Sequence, residues 1–215
     1  SEDNWVSWVN RDRSHRDAPA ARLCLAPVNV GPLLREKVFE ALPASIITSA
    51  TLTVAKQFDH IRGRIGLEHC DRVVTKRFPS PFDYRAQALL GIPRDLPTPK
   101  EPGFIEWATE VVLSAIEASD GGTFVLCTSY ALVDALHEQA EQKFGHDRPL
   151  LKQGQMSRGR LLDRFKEDRR SVLFGTDSFW EGIDVKGDQL RLVIIPRLPF
   201  RVPTEPVQQA RFERL

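Results

Sequence analysis

Apolar residues recur at helical spacing in the middle of the chain. Ile105, Ala108, Val112, Ala115 and Ile116 share one face, and Asp120-Gly121-Gly122 ends the run. Residues 123–127 form a continuous apolar stretch that reads as a strand. Leu132, Leu136, Ala140 and Phe144 then recur every four residues and predict a second amphipathic helix. A short strand is expected at 149–152, and Ser157 as the cap of a helix carrying Leu161, Leu162 and Phe165. Further strands are expected at 171–175 and 190–195, and a last helix begins after Thr204-Glu205-Pro206.

The first half is less regular. Residues 1–21 are polar and rich in Arg and Asp, with Trp5 and Trp8 as the bulky anchors. Residues 44–48, Ala-Ser-Ile-Ile-Thr after Pro43, read as a short β-rich strand. Residues 78–103 are rich in proline and show little periodicity. Proline removes a donor and fixes φ, so this stretch predicts an extended connector rather than a helix.

Strands that alternate with helices, each strand apolar along its whole length, imply an α/β fold with a mainly parallel sheet covered on both faces. Ligands bind such sheets at the loops that follow the carboxyl ends of the strands. Three of those loops are Thr128-Ser129-Tyr130, Gln153-Gly154-Gln155 and residues 176–184. The third holds Trp180, Glu181, Gly182 and Asp184 directly ahead of an apolar run, a composition that a plain connector does not need.

Composition adds limits. A chain of 215 residues with 41% hydrophobic and 27% charged residues suits one α/β domain with an appendage. The formal net charge of +1 gives no global basic signature of nucleic-acid binding, although a local basic stripe is compatible with it. Cys24, Cys70 and Cys127 lie too far apart for a zinc knuckle, and their odd number fits a reducing cytoplasm. His15, His60, His69, His137 and His146 show no metal-ligand spacing. No signal peptide and no long apolar span is evident, so a soluble, cytoplasmic protein without a membrane partner is expected. Arg11, Arg13, Arg16 and Arg22, interrupted by Asp12 and Asp17, read as solvated surface. Arg169-Arg170 and Arg197 with Arg201 are the better candidates to face a nucleic acid or a cleft.

Three strings in order carry a resemblance. Thr48-Ser49-Ala50-Thr51-Leu52, Thr128-Ser129-Tyr130 and Ser178-Phe179-Trp180-Glu181-Gly182-Ile183-Asp184 resemble motifs III, IV and V of superfamily 2 DNA helicases. The DinG-like, XPD-related branch is the nearest likeness. Pro-Ser-Pro-Phe-Asp-Tyr at 79–84 and Arg197-Leu198-Pro199-Phe200 are similar to that branch too. The resemblance covers residues 27–215. It implies the second of two RecA-like domains, a P-loop NTPase-type three-layer αβα fold without a Walker A loop.

The chain has no Gly-Lys and no Asp-Glu dipeptide, the hallmarks of the phosphate loop and the Mg²⁺ carboxylates. It also lacks the Gln-x-x-Gly-Arg of motif VI. The string from Gln155 to Arg160 is one residue too long and precedes motif V. The expected organisation is therefore residues 1–55 as a remnant of the first helicase domain with the motif III strand. Residues 56–104 follow as a proline-rich connector and entry, and 105–215 as the second RecA-like domain, ending before motif VI.

The resemblance implies roles. Glu181, Gly182 and Asp184 would face the ATP cleft. Gly182 would let backbone approach phosphate or ribose, and the carboxylates would accept from a ribose hydroxyl or an arginine of the facing domain. The alternative is that the carboxylates cap the following turn. Thr128, Ser129 and Tyr130 would present hydroxyls and free N–H groups to a DNA phosphate, a role compatible with simple N-capping. Lys152 and Gln153 would add a second phosphate contact, against a solvated lysine. Ser178 would touch a phosphate. Trp180 would stack on a base or pack on the first domain, against a residue at the rim of the core.

Ser49, Ala50 and Thr51 would couple hydrolysis to DNA movement only beside a first domain. In the intact enzyme ATP and Mg²⁺ are the expected cofactors, and single-stranded DNA and the first RecA-like domain the partners. The three cysteines do not reproduce an iron–sulfur site, and the chain alone is expected to bind no cofactor and to lack ATPase activity. A non-catalytic single-stranded nucleic-acid-binding α/β module remains the alternative. A stand-alone nucleotide-binding enzyme would need a glycine-rich turn, and Gly63-Arg64-Ile65-Gly66 has the wrong spacing.

Overall fold

The structure, a computed structural model, describes residues 4–12, 20–199 and 205–213. Arg13, His15, Arg16, Asp17, Phe200, Arg201 and Thr204, named above, lie outside them. The chain divides into two compact units, residues 1–88 with 201–215, and residues 89–200.

The first unit opens on a hairpin. β1 (Trp5–Asp12) pairs antiparallel with β2 (Ala20–Pro27), Trp5 opposite Pro27 and Asp12 opposite Ala20. Val9 pairs with Leu23 and Ser7 with Leu25, which places Val9, Leu23 and Leu25 on one exposed face. Two asparagines close the hairpin. The Asn29 N–H donates to Asn4 Oδ1 at 2.9 Å, and Asn4 Nδ2 donates to the Asn29 carbonyl at 2.8 Å. Helix α1 (Gly31–Leu34) has proline in its first turn, where no N–H is needed, and runs into a π-helical turn, Arg35–Phe39.

Helix α2 (Asp59–Arg64) is followed by a bend held by Arg62. Its guanidinium donates to the Leu67, Glu68 and Cys70 carbonyls, each at 3.2 Å. Helix α3 (Tyr84–Gln87) is one turn long, and Asp83 Oδ1 caps it by accepting from the Arg85 and Ala86 N–H groups. The rest of the proline-rich stretch up to residue 103 forms no further helix or strand.

Residues 44–49 form no strand, contrary to the expectation from their composition. A strand exists only when a neighbour takes its N–H and C=O groups, and among the described residues no strand lies alongside this one. Ile46 is 94% exposed.

The second unit is the regular α/β body. Helix α4 (Phe104–Ala118) leads to β3 (Thr123–Leu126), α5 (Tyr130–Phe144), β4 (Leu150–Lys152), α6 (Arg158–Glu167), β5 (Val172–Gly175) and β6 (Leu192–Ile194). The four strands are parallel in the order β4-β5-β3-β6. The step from β3 to β4 passes over β5, and the next step returns. With crossovers of one hand, such a reversal puts successive helices on opposite faces.

The two cores bear this out. Val125, Cys127, Val172 and Phe174 pack with Val112 and Ile116 of α4 and Leu132, Val133, Leu136 and Ala140 of α5. Phe124, Leu126, Leu151 and Leu173 pack with Leu161 and Phe165 of α6 and with Phe179. Alternate strand residues thus serve opposite faces, which is why the central strands read as unbroken apolar runs. Helix α7 (Pro206–Phe212) belongs to the first unit, and Arg211 Nε donates to the Val28 carbonyl at 2.9 Å.

Two titratable groups are buried in the first of these cores. Burial pushes the Cys127 thiol up to about 12, so it stays protonated and inert as a nucleophile. His137 is buried edge-on to Phe174, with Glu141 Oε1 3.6 Å from Nε2. Burial lowers its pKa most, and Lys152 lowers it further. Glu141, the Leu150 backbone and Asp134 oppose the shift. The folded state therefore holds His137 neutral at a pH where the unfolded chain has already taken a proton. Its stabilising contribution is complete above the unfolded value of about 6.5 and is lost as pH falls through the lower folded value. The urea midpoint is expected to drop between pH 7.5 and 5.5, and His137→Phe to flatten that drop.

Candidate ligand edge of the parallel sheet

All strands of the second unit point the same way, so the loops after β3, β4 and β5 lie side by side at one edge. Thr128, Ser129 and Tyr130 join β3 to α5. Ser129 is the N-cap in extended conformation, and its Oγ accepts from the Leu132 N–H at 3.3 Å. Tyr130 is 57% exposed. Lys152 ends β4, and its Nζ pairs with Asp134 Oδ1 of α5 at 2.9 Å. Gln153 is half-buried, and both ends of its amide are bonded within the edge, to Thr176 and to Tyr130.

The loop after β5 turns through a short 3₁₀ segment, Asp177–Phe179, closed by the Phe179 N–H donating to the Thr176 carbonyl at 2.8 Å. Phe179 is buried, Ser178 is exposed, and Trp180 is half-buried against the α6-side core. The Trp180 indole N–H is buried without a hydrogen-bond partner. Glu181 and Asp184 are exposed, Asp184 with Lys186 Nζ 3.6 Å away. Gly182 has φ +68°, a backbone state that side chains with a Cβ rarely adopt. Among the described residues, and leaving out its chain neighbours, the one atom within 4 Å of where a Cβ would stand is Arg158 Nη2, at 3.5 Å.

Arg158, the first residue of α6, was not singled out by sequence, where it falls in the string that fails the motif VI spacing. Its Nη2 donates to the Glu181 carbonyl at 2.7 Å and the Gly182 carbonyl at 3.2 Å, and its guanidinium lies 5.9 Å from the Phe179 ring centre. It fixes the backbone that carries the two carboxylates. Arg158→Ala is expected to lower the backbone order parameters of residues 181–184, because the loop loses its latch. Global stability should change by no more than ~0.5 kcal/mol, since the guanidinium is exposed. NMR relaxation with urea denaturation checks both.

Other expected residues lie elsewhere. Ser49 Oγ accepts from the Thr51 N–H at 3.2 Å and lies 3.2 Å from Thr51 Oγ1, so Ser49, Ala50 and Thr51 form an exposed turn in the first unit. Arg169 and Arg170 precede β5 and so sit at the amino end of the sheet. Arg169 bonds the Asp120 carbonyl there, at 3.5 Å, and the Arg170 N–H bonds Asp168 Oδ1 at 2.8 Å. Arg197 follows β6 and is exposed.

Chemically the edge offers hydroxyls, helix-terminal N–H groups and an open glycine backbone, which suit a phosphate or a ribose. Glu181 and Asp184 suit a hydroxyl or an arginine. Among the described residues no cluster of His, Cys, Asp or Glu fits a metal ion, and no helix is long and apolar enough to cross a membrane.

Residues 112–215 match the family described as the helicase C-terminal domain. The chain is 40% identical over 191 residues to the ATP-dependent DNA helicase YoaA of Escherichia coli, covering 89% of the chain and 29% of the relative. It is 35% identical over 208 residues to the ATP-dependent helicase DinG of Mycobacterium tuberculosis, covering 96% and 31%. Against the protein named 3'-5' exonuclease DinG of Bacillus subtilis it is 31% identical over 220 residues, covering 99% and 23%. The chain thus spans less than a third of the length of these relatives.

Proposed function

We propose that the chain, whose residues 112–215 match the helicase C-terminal domain family, supplies the second RecA-like half of an ATP-dependent DNA helicase. One observation carries the reading: the loops bearing the motif IV-like and motif V-like residues lie on adjacent strands of one parallel sheet, at its carboxyl edge. The same edge can then serve a nucleotide and a strand of DNA.

On the DNA side, Thr128, Ser129 and Tyr130 stand at the start of α5. The Ser129 cap takes one amide, and the remaining first-turn N–H groups face an approaching phosphate with the positive end of the helix dipole behind them. Ser178 adds an exposed hydroxyl. Lys152 reaches a phosphate by exchanging its Asp134 partner. Trp180 acts by packing, since its ring already covers the α6-side core.

On the nucleotide side, Gly182 leaves room for ribose or phosphate, while Glu181 and Asp184 accept from the ribose or from an arginine of the first half. Among the described residues no cluster of His, Cys, Asp or Glu would hold the Mg²⁺. In the whole helicase, ATP hydrolysis opens and closes the cleft. Alternating grip on backbone phosphates moves the protein 5′ to 3′ along single-stranded DNA. Residues 1–55 represent the end of the first half, where Ser49, Ala50 and Thr51 would couple the two events.

Titration of the 215-residue chain with a labelled oligonucleotide at two salt concentrations tests the reading. A helicase half with two or three phosphate contacts binds weakly, with a log–log salt slope of about −1.5 to −2. Tight binding that tolerates salt contradicts it and favours a stacking-dominated binding module. The same preparation is expected to release no phosphate from ATP, with or without the oligonucleotide.

A further inference from the structure

Gln153 reaches three loops with one side chain. Its backbone N–H extends the sheet by donating to the Phe174 carbonyl at 2.9 Å. Its Oε1 accepts from the Thr176 N–H at 2.6 Å and from the Thr176 hydroxyl at 3.0 Å. Its Nε2 donates to the Tyr130 hydroxyl at 2.9 Å. The strand order β4-β5-β3 makes this possible, because the loop after β5 lies between the other two.

The polarity of the chain of bonds is determined. A backbone N–H only donates, so the Thr176 amide requires the oxygen of the Gln153 side chain, and the nitrogen must face Tyr130. The amide nitrogen only donates, so the Tyr130 oxygen must accept. The phenolic proton then has no place in this bond and is left for another acceptor. Tyr130 is 57% exposed, so that acceptor comes from outside the edge.

We propose that Gln153 is a positioning residue: it clasps the loops after β3, β4 and β5 into one ligand edge and turns the Tyr130 hydroxyl into a donor toward a backbone phosphate of single-stranded DNA. The DNA part rests on the helicase reading above; the clasp does not. A phosphate oxygen only accepts, so a hydroxyl whose proton were already engaged within the protein would offer it nothing. The Gln153 amide thus selects the protonation geometry that an anion needs without adding charge.

Gln153→Glu tests the idea because it keeps the clasp and reverses one bond. Its carboxylate still accepts from Thr176 and also accepts the Tyr130 proton, which consumes the donor. Gln153→Leu removes every bond. Amide exchange in the 215-residue chain should show Thr176 exchanging roughly tenfold faster in Gln153→Leu, and protected in Gln153→Glu. Oligothymidylate binding should weaken roughly three- to tenfold on Tyr130→Phe in the wild-type background. In the Gln153→Glu background the same change should alter affinity less than about twofold, and comparison within that background cancels the added charge.

A Tyr130→Phe effect of equal size in both backgrounds overturns the donor role. Unchanged Thr176 exchange in Gln153→Leu overturns the clasp. A wild-type chain that binds no oligonucleotide removes the helicase reading and the donor role together, and the exchange result still decides the clasp.

Discussion

Phe174→Ala is expected to cost about 3–5 kcal/mol, a large fraction of the ~5–15 kcal/mol that holds a domain folded. Phe174 is fully buried on the inner strand β5. Its ring fills the space between the sheet and α5, with His137 edge-on at 5.5 Å between ring centres. Deleting it leaves a ring-sized void that neither side can collapse into, because Val125 and Val172 flank it on the sheet and Leu136 on the helix. The Phe174 carbonyl, which accepts the Gln153 N–H, is kept in the variant. Urea denaturation followed by circular dichroism measures it. Val193→Ala on the edge strand β6, where the side chain is about half exposed, serves as the control and should change stability by no more than ~0.5 kcal/mol.

Gly175→Ala has a smaller energetic effect and a sharper functional one. A Cβ at residue 175 would stand 2.6 Å from Phe179 Cδ2 and 3.0 Å from Cγ. Phe179 cannot swing aside, because its ring is buried in the α6-side core with Arg158 over it. Relief must come from the backbone, at about 1–3 kcal/mol. The segment that shifts is the one carrying Ser178, Trp180 and Glu181. Oligonucleotide affinity should therefore fall although no ligand-contacting atom has been removed. Adding Phe179→Leu, which shortens the obstructing side chain, should return part of the stability. A Gly175→Ala chain with wild-type stability and affinity contradicts the packing argument.

The sheet body was legible in the sequence because its signals are local. Periodicity marked α4 and α5, unbroken apolar runs marked β3 and β5, and the rule for parallel sheets pointed to the carboxyl edge. The hairpin of β1 and β2 was not legible. Both of its faces carry bulky residues, Trp5 and Val9 on one and Trp8 on the other, so no alternation stands out against the arginines. Residues 44–48 misled in the opposite sense: two isoleucines and a threonine look like a strand, but pairing depends on a neighbour that composition does not report.

At the ligand edge, residue types were readable and their connections were not. Gln153 meets Thr176 and Tyr130, and Arg158 meets Glu181, each across 23 residues of chain. Only the order of strands brings such groups together. That is why Gln153 reads as a phosphate contact in the sequence, while its bonds to Thr176 and Tyr130 become visible only in the fold.

The most direct test of a shared ligand edge is a titration of isotope-labelled 215-residue chain with oligothymidylate, followed by amide chemical shifts. The shifts are expected to concentrate at residues 128–131, 153–154 and 176–182 and to leave β1, β2 and the outer faces of α4 and α5 unmoved. Binding whose shifts fall on the β1–β2 hairpin or at the amino end of the sheet, with the carboxyl edge silent, would contradict it.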